Sequence, residues 1–105
     1  INDTVAYFDA RLLAADCNFY LRDYGAAMAA LQEVQSYSLI PSQRYRADWN
    51  ILQLYLVQHN TGEEFNALLD KIIADPQHKY GGISSRSRAT ILKKKMNSFW
   101  WKIAN

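Results

Sequence analysis

The chain has 105 residues, half of them apolar and 21% charged, with four glycines, two prolines and a formal net charge of +2. That length supports one domain with a modest core, and the composition excludes a disordered chain and disfavours a turn-rich all-β fold. No stretch approaches the roughly 18 uninterrupted apolar residues of a membrane span; the longest candidate, Ile51 to Val57, is broken by Gln53.

A first helix is predicted where Val5, Phe8, Leu12, Ala15 and Phe19 fall at steps of three and four, with Asn2 or Asp3 suited to cap it. Asp23-Tyr24-Gly25 interrupts that pattern. A second, alanine-rich helix then carries Ala27, Leu31 and Val34 on one face, and Gly25, Ala26, Ala29 and Ala30 are small enough to admit a close neighbour. Together these make a hairpin over about residues 3–37. Pro41-Ser42 punctuates the chain, since proline rarely continues a helix and serine caps one well. The third helix carries Tyr45, Trp49, Leu52 and Leu56 on one side and Ile51, Leu54 and Tyr55 on another, the pattern of a helix packed on both sides. It fades at His59-Asn60, and Thr61-Gly62-Glu63-Glu64 has the spacing of a capping box. A fourth helix with Phe65, Leu68, Leu69 and Ile72 follows, stopped by Asp75-Pro76, and closes a second hairpin over about residues 43–75. Gly81-Gly82 reads as the loosest point in the chain. Ser84 or Ser85 is suited to cap a fifth helix, over about residues 85–103, carrying Ala89, Leu92, Met96, Phe99 and Ile103.

Charge is distributed unevenly. Residues 1–75 hold all ten acids and five basic residues, whereas residues 76–105 hold seven basic residues and no acid. The last helix therefore ends in Lys93-Lys94-Lys95-Met96-Asn97-Ser98-Phe99-Trp100-Trp101-Lys102-Ile103. Its lysines suit phosphates or lipid headgroups, and its aromatics suit bases or a membrane interface. The reading favoured by the rest of the chain is a cap, with Leu92, Met96, Phe99 and Ile103 packed inward and the lysines in solvent, as the end of a helical stack requires. Trp100 and Trp101 cannot both face inward on one helix. The alternative uses Arg86, Arg88, Lys93, Lys94, Lys95 and Lys102 as a basic surface for membrane or nucleic acid, of which nucleic acid is the less favoured.

Residues that carry chemistry are sparse. His59 and His78 lack a second ligand at helical spacing, so neither a metal nor another cofactor is expected. Cys17 has no C-x-x-C partner and no activating histidine, and is expected to be a buried or half-buried structural residue. No serine sits in a G-x-S-x-G elbow, and Gly81-Gly82-Ile83-Ser84-Ser85 lacks the G-K-[ST] ending of a phosphate loop. Asp9, Asp16 and Asp23 recur every seven residues along the first helix, and read either as a solvated face or as the lining of a groove that receives basic residues. The expectation is a protein without catalytic activity.

Ala27, Leu31 and Val34 recur as Phe65, Leu69 and Ile72, each displaced by 38 residues. With Asp23-Tyr24 at the turn, and with Trp49, Leu52 and Leu56 opening the second hairpin, the chain resembles the tetratricopeptide repeat family. It departs from that family in its spacing, which is longer than about 34 residues, in Phe65 where the family prefers alanine, and in a first helix that lacks the family's aromatic and glycine. The run from Trp49 to Ile72, with Asp75, His78, Tyr80 and a basic Ile-Leu-Lys-Lys helix, is also similar to the end of short bacterial repeat proteins, often membrane-anchored. Leu54-Tyr55-Leu56 and Glu64-Phe65 resemble, more distantly, the helical-repeat part of PCI-type complex subunits.

The resemblance implies an all-α fold: two antiparallel helical hairpins stacked as a short right-handed α-solenoid, closed by the basic helix, in a single domain over 1–105. The bacterial likeness implies an exposed domain of a membrane-anchored or exported protein. Opening on Ile1 rather than Met, the chain reads as a processed product or a piece of a longer one. The resemblance further implies a scaffold that binds a protein or peptide along a concave groove, with self-association as another use. Carried onto this sequence, the groove positions are Asp16, Phe19 and Tyr20 from the first unit and Asn50, Leu54 and Gln58 from the second. Asn50 and Gln58 would bond an extended chain, with Tyr20 as aromatic anchor.

Overall fold

The computed structural model describes residues 3–104, with side chains through Ser98. In chain order it comprises α1 (Asp3–Tyr20), α2 (Tyr24–Tyr37), α3 (Pro41–Val57), α4 (Glu63–Ala74), a ribbon of β1 (Lys79–Tyr80) and β2 (Ile83–Ser84), and α5 (Ser85–Ala104). The fold is all-α apart from that ribbon, as the apolar spacing predicts.

Helix boundaries fall at the predicted breakers, although the capping chemistry differs. Asp23 accepts the Ala26 N–H at 3.2 Å and caps α2, after Arg22 turns the chain with φ +62°. At α3 the cap position is Ile40, with Pro41 as the first helical residue, where its missing N–H costs nothing. Ser42, the expected cap, therefore lies inside the helix; the Oγ of Ser38 accepts the Ile40 N–H instead, at 3.1 Å. The predicted capping box at α4 does not form. Gly62 holds the cap position without a side-chain bond, Glu64 accepts from the Tyr55 hydroxyl at 3.2 Å, and Asn66 Nδ2 bonds the Gly62 carbonyl at 2.8 Å. Beyond α4, Asp75 Oδ1 accepts the Gln77 N–H at 2.9 Å and closes the turn through Pro76. The predicted Asn2 cap lies outside the described residues.

Each helix packs on the next in sequence, and α1 also reaches α3. Neighbours run antiparallel: Phe19 meets Tyr24 and Arg11 meets Glu33 across α1–α2, while Tyr55 meets Phe65 across α3–α4. Helices α1 and α3 run in the same direction, since Gln43 bonds Val5 and Asp9 while Arg46 bonds Asp16. The six positions related by the 38-residue displacement, Ala27, Leu31, Val34, Phe65, Leu69 and Ile72, are all buried. Each large member contributes about 1.5–3 kcal/mol by leaving water. The central helix α3 buries Ile51 and Leu54 together with Leu52 and Tyr55, and packs on both α2 and α4. Of the four small residues expected to admit a close neighbour in α2, Ala30 is buried and Ala26 half-buried, but Gly25 and Ala29 are exposed.

The segment read as loose is a tight β-hairpin. Lys79 pairs with Ser84 and Tyr80 with Ile83, and Gly81 and Gly82 take φ of +61° and +77°. Positive φ at both central residues is what a primed two-residue turn demands, and glycine adopts it without steric cost. Helix α5 starts immediately afterwards. Ser84 ends β2 and immediately precedes the first helical residue, and the Ser85 N–H donates to the His78 carbonyl at 3.0 Å. In α5, Ala89 is buried and Leu92 and Met96 pack against the core. The predicted inward packing of Phe99 and Ile103, the facing of Trp100 and Trp101, and Lys102 lie outside the described side chains.

Candidate functional site

A concavity of about 350 Å³ opens between α1 and α3, with α2 as its floor; Ala15, Asp16, Phe19, Tyr20, Ala27, Leu31, Asn50, Gln53 and Leu54 line it. Five of the six residues nominated from the sequence therefore meet in one place. Gln58 does not: it occupies the cap position after α3, exposed, where its backbone has left the helix. Gln53, five residues earlier, supplies the second amide, because it lies three residues from Asn50 and shares its face.

The groove has distinct parts. Ala15, Ala27, Leu31 and Leu54 are buried and make an apolar floor. At one end Phe19 meets Tyr20 edge-on, with centroids 6.4 Å apart, and Tyr20 is 85% exposed. On α3, Asn50 is half-buried and Gln53 exposed, and neither side chain bonds another described residue. Asp16 is held by Arg46, whose Nη2 lies 2.6 Å from Oδ2, so its charge is balanced within the protein.

The three aspartates spaced by seven have three separate duties. Asp9 accepts from Gln43 Nε2 at 2.8 Å, Asp16 pairs with Arg46, and Asp23 caps α2 from outside α1. They form neither a continuous groove lining nor a free solvated row. Cys17, expected to be at least half-buried, is exposed, because it lies off the Val5–Phe8–Leu12–Ala15–Phe19 stripe. Exposed Leu13 accompanies it on the outer face of α1, and exposed Leu21 follows in the turn after it.

Two of the described basic residues of α5 are engaged within the protein. Lys93 pairs with Asp70 of α4, and the Arg88 guanidinium lies 6.0 Å from the Trp49 ring centroid. Arg86, Lys94 and Lys95 are exposed.

One cluster had no local signal in the sequence. Asp48 and His78 are both buried, with His78 Nε2 3.0 Å from Asp48 Oδ2 and the Tyr45 ring 4.3 Å from the imidazole. Gln35 Nε2 donates to Asp48 Oδ1 at 2.6 Å, and Lys71 Nζ lies 3.6 Å from the same oxygen. Burial alone would push the Asp48 carboxyl up, but the hydrogen bonds of His78 and Gln35 and the charges of Lys71 and His78 more than offset it, so its pKa is lowered. Ionised, Asp48 can only accept, and His78 Nε2 therefore carries the proton. His78, in the loop after Pro76, ties α3 to the β-hairpin through this contact. Asp48 and His78 are closed to solvent while Lys71 is exposed, and among the described residues no three His, Cys, Asp or Glu side chains converge as metal ligands.

Among the described residues no helix is long and apolar enough to cross a membrane. No known protein family, curated protein or solved structure matches the chain. Fold and groove thus define its class as an all-α domain of helices packed in sequence order.

Proposed function

We propose that the chain is a non-catalytic module of tetratricopeptide-like design that binds an extended protein or peptide segment in the groove between α1 and α3. The observation that carries this reading is the juxtaposition of two unengaged amides, Asn50 and Gln53, with an exposed aromatic, Tyr20, over an apolar floor. An extended chain has unpaired backbone N–H and C=O groups at regular spacing. Side-chain amides both donate and accept, so a pair on adjacent turns of one helix answers that chain without regard to its sequence. Tyr20 and Phe19 supply an anchor for one apolar or aromatic side chain, the kind of residue that dominates binding energy. Sequential packing of α1 to α4, with α1 and α3 parallel and side by side, supports a stack of two hairpins with their first helices on the concave side.

A random peptide library displayed on phage and selected on the immobilised domain tests the reading. Peptides recovered on the wild type should lose at least tenfold in affinity on the Tyr20→Ala/Gln53→Ala variant, about 1.4 kcal/mol or more, while the variant melts at the wild-type temperature. Peptides that bind both proteins equally would remove the groove from the function.

A further inference from the structure

We infer that the peptide bound in the groove carries an aspartate or glutamate, and that a second cavity, beside the first turns of α3, receives that side chain. The inference rests on the groove reading above and defines its ligand more closely.

The second cavity, of about 620 Å³, opens between the start of α3 and the β-hairpin; Ser42, Tyr45, Arg46, Gln77, Lys79 and Tyr80 are among its walls. Its described lining residues include two cations and no acid. Arg46 bonds Asp16 through Nη2 and bonds no other described residue, so most of its N–H groups stay free to donate. Lys79 is exposed and makes no ion pair among the described residues. Its backbone is already held in place. On one side of it the His78 imidazole bonds Asp48, and on the other the Tyr80 ring stacks on Trp49 with centroids 6.4 Å apart. A cation fixed against α3 before binding loses little freedom when an anion arrives.

The two cavities share one face of α3. Ser42, Arg46, Asn50 and Gln53 follow at steps of four, four and three, so they form a single polar stripe. Ser42 and Arg46 lie in the second cavity, Asn50 and Gln53 in the groove. The Arg46–Asp16 pair joins them, because Asp16 also lines the groove. At 1.5 Å per residue, Ser42 is about 12 Å along the axis from Asn50 and about 18 Å from Leu54. An extended chain covers that distance in about four to six residues.

A peptide lying along the stripe therefore offers one side chain to Phe19 and Tyr20 and a second, about four to six residues away, to Lys79 and Arg46. Among unmodified side chains only aspartate and glutamate are anionic at neutral pH. A carboxylate there accepts from Lys79, from the free N–H groups of Arg46 and from the Ser42 hydroxyl, and hydrogen bonds between charged groups are the strong ones.

Peptide selection and binding measurements test this. Random peptides displayed on phage and selected on the wild type should share an acidic residue about four to six positions from an aromatic or large apolar one. One such peptide with a single acidic residue, synthesised with an amidated C-terminus so that this side chain is its only carboxylate, should bind Lys79→Glu roughly tenfold more weakly by fluorescence anisotropy. Exchanging its acidic residue for lysine should reverse the order of the two proteins, which a misfolded variant would not do. Selected peptides that lack the acid, or an acidic peptide that binds wild type and Lys79→Glu equally, overturn the inference. If those peptides still fail to bind Tyr20→Ala/Gln53→Ala, the groove reading stands without it. Acidic peptides that respond to Lys79→Glu but not to Tyr20→Ala/Gln53→Ala overturn the groove reading and the joined site together, as does a library that yields no binder.

Discussion

His78 donates through Nε2 to Asp48 Oδ2 at 3.0 Å, in a bond that joins residues thirty apart and excludes solvent from both. Through it the β-hairpin, and α5 beyond it, are tied to the middle helix. Asp48→Ala removes the acceptor shared by His78, Gln35 and Lys71, and leaves the buried imidazole without its partner. Breaking a buried pair in this way costs about 3–5 kcal/mol. Urea denaturation should show that loss, and a change below about 1 kcal/mol would mean the pair is not a structural tie.

The same carboxylate sets an acid limit. A group whose folded pKa is depressed adds stability that is present above its unfolded value, about 3.9 for aspartate, and that is lost as pH falls through the lower folded value. Wild-type stability should therefore drop between about pH 5 and pH 2 more steeply than that of Asp48→Asn. Parallel pH profiles of the two proteins would refute the assignment to Asp48.

Glycine positions should respond in opposite directions. Gly82→Ala forces a side chain onto φ +77° and should destabilise by about 1–2 kcal/mol. Gly25 lies in the first turn of α2, exposed, with nothing within 4 Å of an added Cβ. Gly25→Ala should stabilise by about 0.5–1 kcal/mol. Thermal melts of both variants decide, and a gain at Gly82 would contradict the primed turn.

Within the groove, exposure separates binding from structure. Leu54 is 1% exposed, and Leu54→Ala should cost about 2–5 kcal/mol of stability. Tyr20→Ala should leave the melting temperature unchanged, because Tyr20 is 85% exposed. For a peptide selected on the wild type, calorimetric titration should show Gln53→Ala weakening binding and Gln58→Ala leaving it intact. The reverse order would return the second amide to the end of α3.

Much of the fold was legible because its determinants are local. The apolar step of three and four marks each helix, and Asp23, Pro41 and Asp75-Pro76 end or start helices through their own backbone and side-chain chemistry. The β-hairpin was read as the loosest point instead: Gly-Gly is a turn signal, but two-residue strands give no alternation to set beside it. Cys17 could have been placed outside by its angle on the helix. The capping box at Thr61 failed because Gly62 took the cap position and Tyr55 engaged Glu64.

The sequence by itself determined five helices, their order, the buried faces of α2 and α4, and the separation of acidic and basic halves. Tertiary structure alone decided which polar groups meet. Asp48 and His78, Asp16 and Arg46, and Asp9 and Gln43 are each at least thirty residues apart, and no local pattern encodes such pairs. It also chose Gln53 over Gln58 for the groove, because only the crossing of α1 over α3 fixes which turn of α3 the concavity reaches. Helical periodicity is a property of neighbours in sequence, and the site is a property of neighbours in space.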